Sequence, residues 1–183
     1  MQRLTVTLGS TLFAIAASSC GAPAPVDPRQ GPGTFIAFDP DFAGYRSWQS
    51  YDLGVMTPPG HPMGRQVLYV SRALPTGATR FEDRTIIIRE IQADPDPTKW
   101  DLFAMARRGG GYNAMGALDW EFFILSLDSQ GAPHIVSRGI SPNETSSSPY
   151  HPGEGITCNT CHGGEEARRG DCVLSAEIRP SAI

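Results

Sequence analysis

The chain has almost no lysine. Of its 15 basic residues only Lys99 is a lysine, and all the others are arginines. Any chemistry that needs a side-chain amine therefore has a single candidate. Basic residues never occur in runs longer than two, and the formal net charge is -4, so the basic surface of a nucleic-acid-binding protein is not expected.

Apolar runs long enough to span a membrane are also missing, since about 20 residues would be needed. The chain does begin with a short basic segment, an apolar stretch from Leu4 to Ala17, and the small-residue sequence Ala17-Ser18-Ser19-Cys20. This order predicts an export signal over residues 1–19. It resembles a bacterial lipobox, so we expect Cys20 to carry lipid and to anchor the chain to a cell-envelope membrane, with the protein in the periplasm. An ordinary secretory signal, cut near Ala16 to Ser18, is the alternative.

The residues after the signal have little to bury. Residues 20–33 are rich in Pro and Gly, a composition typical of a disordered tether. We expect one folded domain over residues 34–183.

The cysteines do not form an even-numbered disulfide set, because only Cys158, Cys161 and Cys172 remain after Cys20. The run from Cys158 to His162 reads C-x-x-C-H, the attachment motif of c-type haem. Its helical spacing lets both thiols bond the haem vinyl groups while His162 reaches the iron. The sequence thus predicts one covalently attached haem c, with Cys172 as a small buried residue.

Two other uses of these residues remain open. Zinc could bind Cys158, Cys161 and Cys172 with His151 or His162, although the spacing matches no common zinc module. A thioredoxin-type pair is the other possibility, but its C-x-x-C would follow an early strand, whereas this one lies near the end of the sequence.

The pattern along the domain predicts a mainly β fold. Asp39-Pro40 can start a helix whose aromatic residues recur every three positions up to Gly54. β-branched and aromatic residues then predict strands with turn-rich gaps, typical of an antiparallel meander. The strands are expected at 66–71, 85–91, 100–107, 120–127 and 133–137. A helical turn carrying the C-x-x-C-H motif would follow the sheet.

The position of the motif limits the type of cytochrome. All five methionines precede His162, which excludes small electron-transfer cytochromes with a downstream axial methionine. The helical periodicity of a four-helix cytochrome c′ is missing between residues 66 and 127. A β-rich c-type haem protein remains.

Six short patches, in this order, resemble the cytochrome P-460 family over roughly residues 40–177. They are Tyr45-Arg46-x-Trp48, Leu68-Tyr69-Val70, Thr85-x-x-x-x-Glu90, Trp120-x-Phe122, the C-x-x-C-H motif, and Asp171-x-Val173. The resemblance implies an antiparallel sheet with flanking helices, and a homodimer.

Two positions indicate which branch of that family the chain resembles. Members that oxidise hydroxylamine carry a lysine cross-linked to the haem where this chain has Arg89, and a distal glutamate where the alignment places Phe103. A guanidinium stays protonated and cannot form such a link, and Lys99 is the only substitute. Phe103 is similar to the phenylalanines of the cytochrome c′-β branch, in which an apolar distal side binds nitric oxide and carbon monoxide. Arg89 could pair with a haem propionate.

We therefore expect an exported mono-haem cytochrome with an open, apolar distal site that binds or detoxifies nitric oxide or a similar small ligand. A hydroxylamine-oxidising enzyme is one alternative. An electron carrier is another, and it would need a sixth iron ligand. The candidates for that ligand are His61, His134, His151 and Met105.

Overall fold

A computed structural model describes residues 34–142 and 157–180. The predicted export signal, the tether and Cys20 lie outside these residues, as does His151. Within the described residues, no helix is long and apolar enough to cross a membrane.

A single antiparallel sheet forms the body of the described residues. Its strands follow one another in chain order and each pairs with its sequence neighbours, which confirms the predicted meander. The strands are β1 (Gln49–Met56), β2 (Gly64–Val70), β3 (Ile86–Gln92), β4 (Asp101–Arg107), β5 (Trp120–Leu127) and β6 (Pro133–Gly139). The helices are α1 (Asp39–Phe42), α2 (Cys158–His162) and α3 (Glu165–Arg169), with 3₁₀ turns at Tyr45–Ser47 and Pro97–Lys99.

The strands of the sheet centre are apolar on both faces, because both faces are covered. The N-terminal segment around Phe42 and Tyr45 packs on one face, against side chains such as Ile88 and Phe123. The segment after α3, including Val173, packs on the other. Alternation along the strands assigns each side chain to one face. The predicted site residues Arg89 and Phe103 share the second face with Met105.

The long N-terminal helix expected from Asp39 to Gly54 is wrong. Helix α1 ends at Phe42, and Gly44 adopts a left-handed conformation with φ of 67°. From Gln49 onward the chain is strand β1, paired with β2. Aromatic residues spaced by three express only a weak local preference for helix. The hydrogen bonds that β1 makes to the sheet outweigh that preference.

Candidate functional site

A cavity of about 410 Å³ lies between the second face of the sheet and the C-terminal segment. This size falls within the range of roughly 300–1,000 Å³ found for ligand pockets. Most of its wall is apolar. The apolar lining includes Leu53, Leu68, Ile87, Phe103, Met105, Phe122, Val173 and Ile178.

Helix α2 brings both cysteines of the C-x-x-C-H motif to this cavity. Cys158 and Cys161 line it, and neither forms a disulfide among the described residues. The helix starts where the sequence allows it, because Thr157 and Thr160 form a reciprocal cap. The Thr157 hydroxyl accepts the Thr160 N–H at 3.1 Å, and the Thr160 hydroxyl accepts the Thr157 N–H at 2.8 Å.

Asn159, inside the motif, fixes α2 against the loop before β5. Its Oδ1 accepts the backbone N–H of Ala117 at 3.0 Å and the side-chain amide of Asn113 at 2.7 Å. Gly116 allows this approach, since a Cβ there would lie 2.1 Å from the Asn159 Oδ1. The loop and the sheet therefore determine where the two thiols stand.

The imidazole of His162 is oriented by a backbone carbonyl. Its Nδ1 lies 2.7 Å from the carbonyl oxygen of Cys172. A carbonyl can only accept, so Nδ1 carries the proton and donates it. The lone pair is then on Nε2, the nitrogen left for a metal. Burial lowers the pKa of His162, which keeps the ring neutral and suited to ligation.

Arg89 and Phe103 lie side by side on the cavity wall as direct cross-strand partners. The Arg89 guanidinium donates to the Gln66 side-chain oxygen at 2.6 Å and to the Ser175 hydroxyl at 2.8 Å. Within residues 34–142 and 157–180, no carboxylate forms an ion pair with it. Burial lowers the pKa of Arg89, and Glu177 partly offsets this.

His61 also lines the cavity, on the loop between β1 and β2. Its ring packs edge-on against Phe103, with centroids 4.9 Å apart. Gln66 holds this loop by donating to the carbonyl oxygens of Met56 and Pro62, both at 3.3 Å. Burial, together with the nearby Arg89, lowers the pKa of His61 to about 3, so its imidazole is neutral at physiological pH.

Other candidates lie away from the cavity. Lys99 is exposed on the 3₁₀ turn before β4, with its Nζ 3.9 Å from an Asp96 oxygen, and it does not line the cavity. His134 is on the surface, within 3.6 Å of an Asp39 oxygen.

The zinc alternative finds no support in the described part of the chain. There, no three His, Cys, Asp or Glu side chains are grouped so that they could hold a metal ion. Cys158, Cys161, Cys172 and His162 therefore do not form a four-ligand centre. A haem iron needs only one protein ligand, so the same arrangement suits haem.

The residues present fit a c-type haem on three counts. Two cysteine thiols and one neutral imidazole reach one cavity, its wall is mostly apolar, and a guanidinium lies at the wall to match a carboxylate. Cys158 and Cys161 would hold the group covalently, and His162 Nε2 would bind its metal.

Sequence reasoning missed the residues that position the site. Asn159 was only a variable position of the motif, and Cys172 was only a buried residue, although its carbonyl orients His162. A weak signal existed at Asp171, which belongs to one of the six patches on which the predicted family resemblance rests. Its role depends on partners 51 to 90 residues away in the sequence.

Comparison with known proteins gives no relative for this arrangement: no protein-family model, no curated protein and no solved structure matches the chain significantly.

Proposed function

We propose that this chain is an exported mono-haem c-type cytochrome of the cytochrome P-460 type that binds nitric oxide or a similar small neutral ligand. Cys158 and Cys161 bond the haem, and His162 is the proximal iron ligand. The observation that carries the proposal is the His162 imidazole. Its Nδ1 is committed to the Cys172 carbonyl, and its ring lies in the cavity that also receives both thiols.

When bound, the haem supplies an iron with a coordination position for a diatomic ligand. The protein side chains then decide what reaches it. Phe103 presents an apolar ring that offers no hydrogen bond. Water and anions lose hydrogen bonds to solvent when they enter this site, and the ring does not replace them. A neutral diatomic loses little hydration, and such a wall therefore favours it.

Arg89 has a different part in the proposal. Its charge lies in a mostly apolar wall, and its side-chain partners Gln66 and Ser175 are neutral. A buried cation is stabilised when a carboxylate joins it, and a haem propionate is such a group. Arg89 also occupies the position of the cross-linking lysine, and the exposed Lys99 does not line the cavity. Both observations weigh against a hydroxylamine-oxidising enzyme.

One observation favours a second candidate, an electron carrier with six-coordinate iron. His61 brings a second neutral imidazole to the cavity, and Met105 lines it as well. If either side chain binds the iron, the position proposed for a diatomic ligand is filled. The electronic state of the iron then separates the two functions.

The export signal, the lipid on Cys20 and the periplasmic location belong to the same proposal. In an oxidising compartment, haem attachment would keep Cys158 and Cys161 from pairing with each other as a disulfide. Lipid labelling of the chain and of a Cys20→Ala variant tests the anchor, and a label retained by the variant would overturn it.

The attachment experiment uses the full chain produced in a host able to attach c-type haem. We expect covalent haem in the wild type and in Cys172→Ala, the matched control, and loss of both thioether bonds in the Cys158→Ala/Cys161→Ala double variant. Full covalent haem in the double variant would refute the attachment site. No covalent haem in the wild type would refute the function.

The ligand experiment records absorption spectra of the dithionite-reduced protein before and after adding nitric oxide. A high-spin Soret band that shifts with nitric oxide supports the proposed function. A low-spin spectrum in both oxidation states, converted to high-spin by His61→Ala, would establish the electron carrier instead. A strongly red-shifted ferrous band would indicate a lysine cross-link and the oxidising enzyme.

A further inference from the structure

The carbonyl that orients His162 belongs to a tightly held two-residue segment. Asp171 and Cys172 have φ values of 54° and 65°, a left-handed conformation that residues with a side chain rarely adopt. The Cys172 N–H donates to the Ala167 carbonyl at 2.7 Å. This backbone conformation places the Cys172 carbonyl at Nδ1 of His162. Surrounding structure must maintain it, since the segment does not favour it by itself.

Asp171 supplies that restraint through three different parts of the fold. Its carboxylate accepts hydrogen bonds from Arg107 Nη1 and from the backbone N–H of Phe81, each at 2.7 Å. Its backbone carbonyl accepts the indole N–H of Trp120 at 2.8 Å. Arg107 ends β4, Trp120 begins β5, and Phe81 lies before β3. The segment is therefore tied to the sheet that forms the cavity wall.

Arg107 is itself fixed in place. It is 1% exposed, and its Nη2 lies 3.0 Å from an Asp119 oxygen, while its Nε lies 3.3 Å from an Asp83 oxygen. Its guanidinium also lies over the Trp120 ring, 5.6 Å from the centroid. A buried arginine with this many partners has little freedom to move. Its ion pair therefore holds Asp171 at a fixed position relative to the sheet.

We propose that Arg107 and Asp171 are positioning residues for the proximal ligand, acting on His162 through the carbonyl of Cys172. The inference rests on the proposed haem function. A strong acceptor at Nδ1 makes Nε2 a better electron donor, and such donation stabilises the oxidised metal. The ion pair thereby sets the strength of the iron–histidine bond without touching the haem.

The test compares Asp171→Asn with Asp83→Asn in the haem-loaded full chain. Both substitutions remove a carboxylate from the same arginine, but only Asp171 is linked to the Cys172 carbonyl. We expect Asp171→Asn to lower the frequency of the iron–histidine stretch in resonance Raman spectra of the ferrous protein. Its midpoint potential should rise. Asp83→Asn should shift both values far less, because Asp83 contacts Arg107 from a half-exposed position and makes no contact with the Asp171–Cys172 segment.

A second variant covers the case in which Asp171→Asn does not fold. Trp120→Phe removes the hydrogen bond to the Asp171 carbonyl and leaves every charge in place. It should shift both readouts in the same direction and by less. An unchanged frequency and potential in a folded, haem-loaded Asp171→Asn or Trp120→Phe variant overturns the inference, as does an equal shift in Asp83→Asn. The haem attachment on which the inference rests fails if the wild type carries no covalent haem, so the two failures are distinguishable.

Discussion

Arg89 on β3 and Phe103 on β4 are direct cross-strand neighbours, and both side chains line the cavity that holds the His162 imidazole. A cation and an apolar ring thus stand next to each other in one candidate ligand site. Side chains alternate between the faces of a sheet, so a shift of one residue would have moved Phe103 to the opposite face. Because of this register both side chains face the cavity, and the effect of each on the proposed haem can be tested separately.

Replacing Phe103 by Leu is expected to accelerate binding of carbon monoxide or nitric oxide to the ferrous haem. The smaller side chain opens space beside the ligand position and keeps the wall apolar. Flash photolysis of the carbon monoxide complex measures the rate. Phe42→Leu is the control, because Phe42 is also buried but packs on the other face of the sheet. Equal rates in the wild type and Phe103→Leu would remove Phe103 from the ligand pathway.

Replacing Arg89 by Gln is expected to lower the midpoint potential of the haem. A nearby buried cation disfavours the more positive, oxidised state, so its removal stabilises that state. Spectroelectrochemical titration measures the change. Arg65→Gln on β2 removes an exposed arginine paired with Asp52 and should shift the potential much less, because water and salt screen it. Similar shifts in both variants would mean that Arg89 is not close to the haem.

Replacing Asn159 by Ala is expected to destabilise the folded protein by about 2 kcal/mol. Two hydrogen bonds are lost, each worth about 1 kcal/mol, and the Ala117 N–H loses its acceptor. Urea unfolding of the haem-loaded protein measures the loss. Arg169→Gln in α3 is the control, since it breaks only an exposed pair with Glu165, worth about 0.5 kcal/mol or less. Equal stability of the two variants would show that Asn159 does not hold α2 in place.

Replacing Tyr45 by Phe is expected to cost stability at pH 8 and progressively less above pH 10. Burial, reinforced by the hydrogen bond to Glu90, raises the pKa of Tyr45 far above its usual value. An unfolded tyrosine ionises near pH 10, at about its model-peptide value, so the unfolded state releases a proton that the folded state retains. The contribution of Tyr45 to the free energy of unfolding is therefore fully present below that pH. Above it, the contribution falls by about 1.4 kcal/mol per pH unit.

Urea unfolding of the wild type and Tyr45→Phe between pH 8 and pH 11 measures this difference. The stability gap between the two proteins should narrow from pH 10 upward. A gap that stays constant across the range would contradict the raised pKa of Tyr45.

The sequence predicted the strands better than the contacts between distant segments. The run from Thr85 to Ile91 is rich in β-branched residues, and Trp120 to Leu127 is mostly apolar, so local preference and burial agree with the observed strands β3 and β5. The helix predicted up to Gly54 failed because aromatic residues spaced by three can also belong to a turn followed by a strand. Pairing of Gln49–Met56 with β2 decided the outcome.

In the candidate site, too, the local motif was predictable and the contacts between distant segments were not. Cys158, Cys161 and His162 form a short motif whose spacing carries its chemistry, and all three line the cavity. His61 and the Cys172 carbonyl reach it through loops whose paths depend on tertiary hydrogen bonds. Gln66 fixes the first loop and Asp171 the second, and neither contact leaves a periodic pattern in the sequence.

Every strand of the meander precedes Cys158, and each strand pairs only with its neighbours along the chain. Such local pairing allows rapid folding without waiting for distant segments. In a chain translocated from its N-terminus, the sheet side of the cavity would emerge before the residues proposed to bond the haem, and the C-terminal segment that forms its other side would follow them. The proposed haem attachment would then take place beside a sheet whose strands are already available to pair.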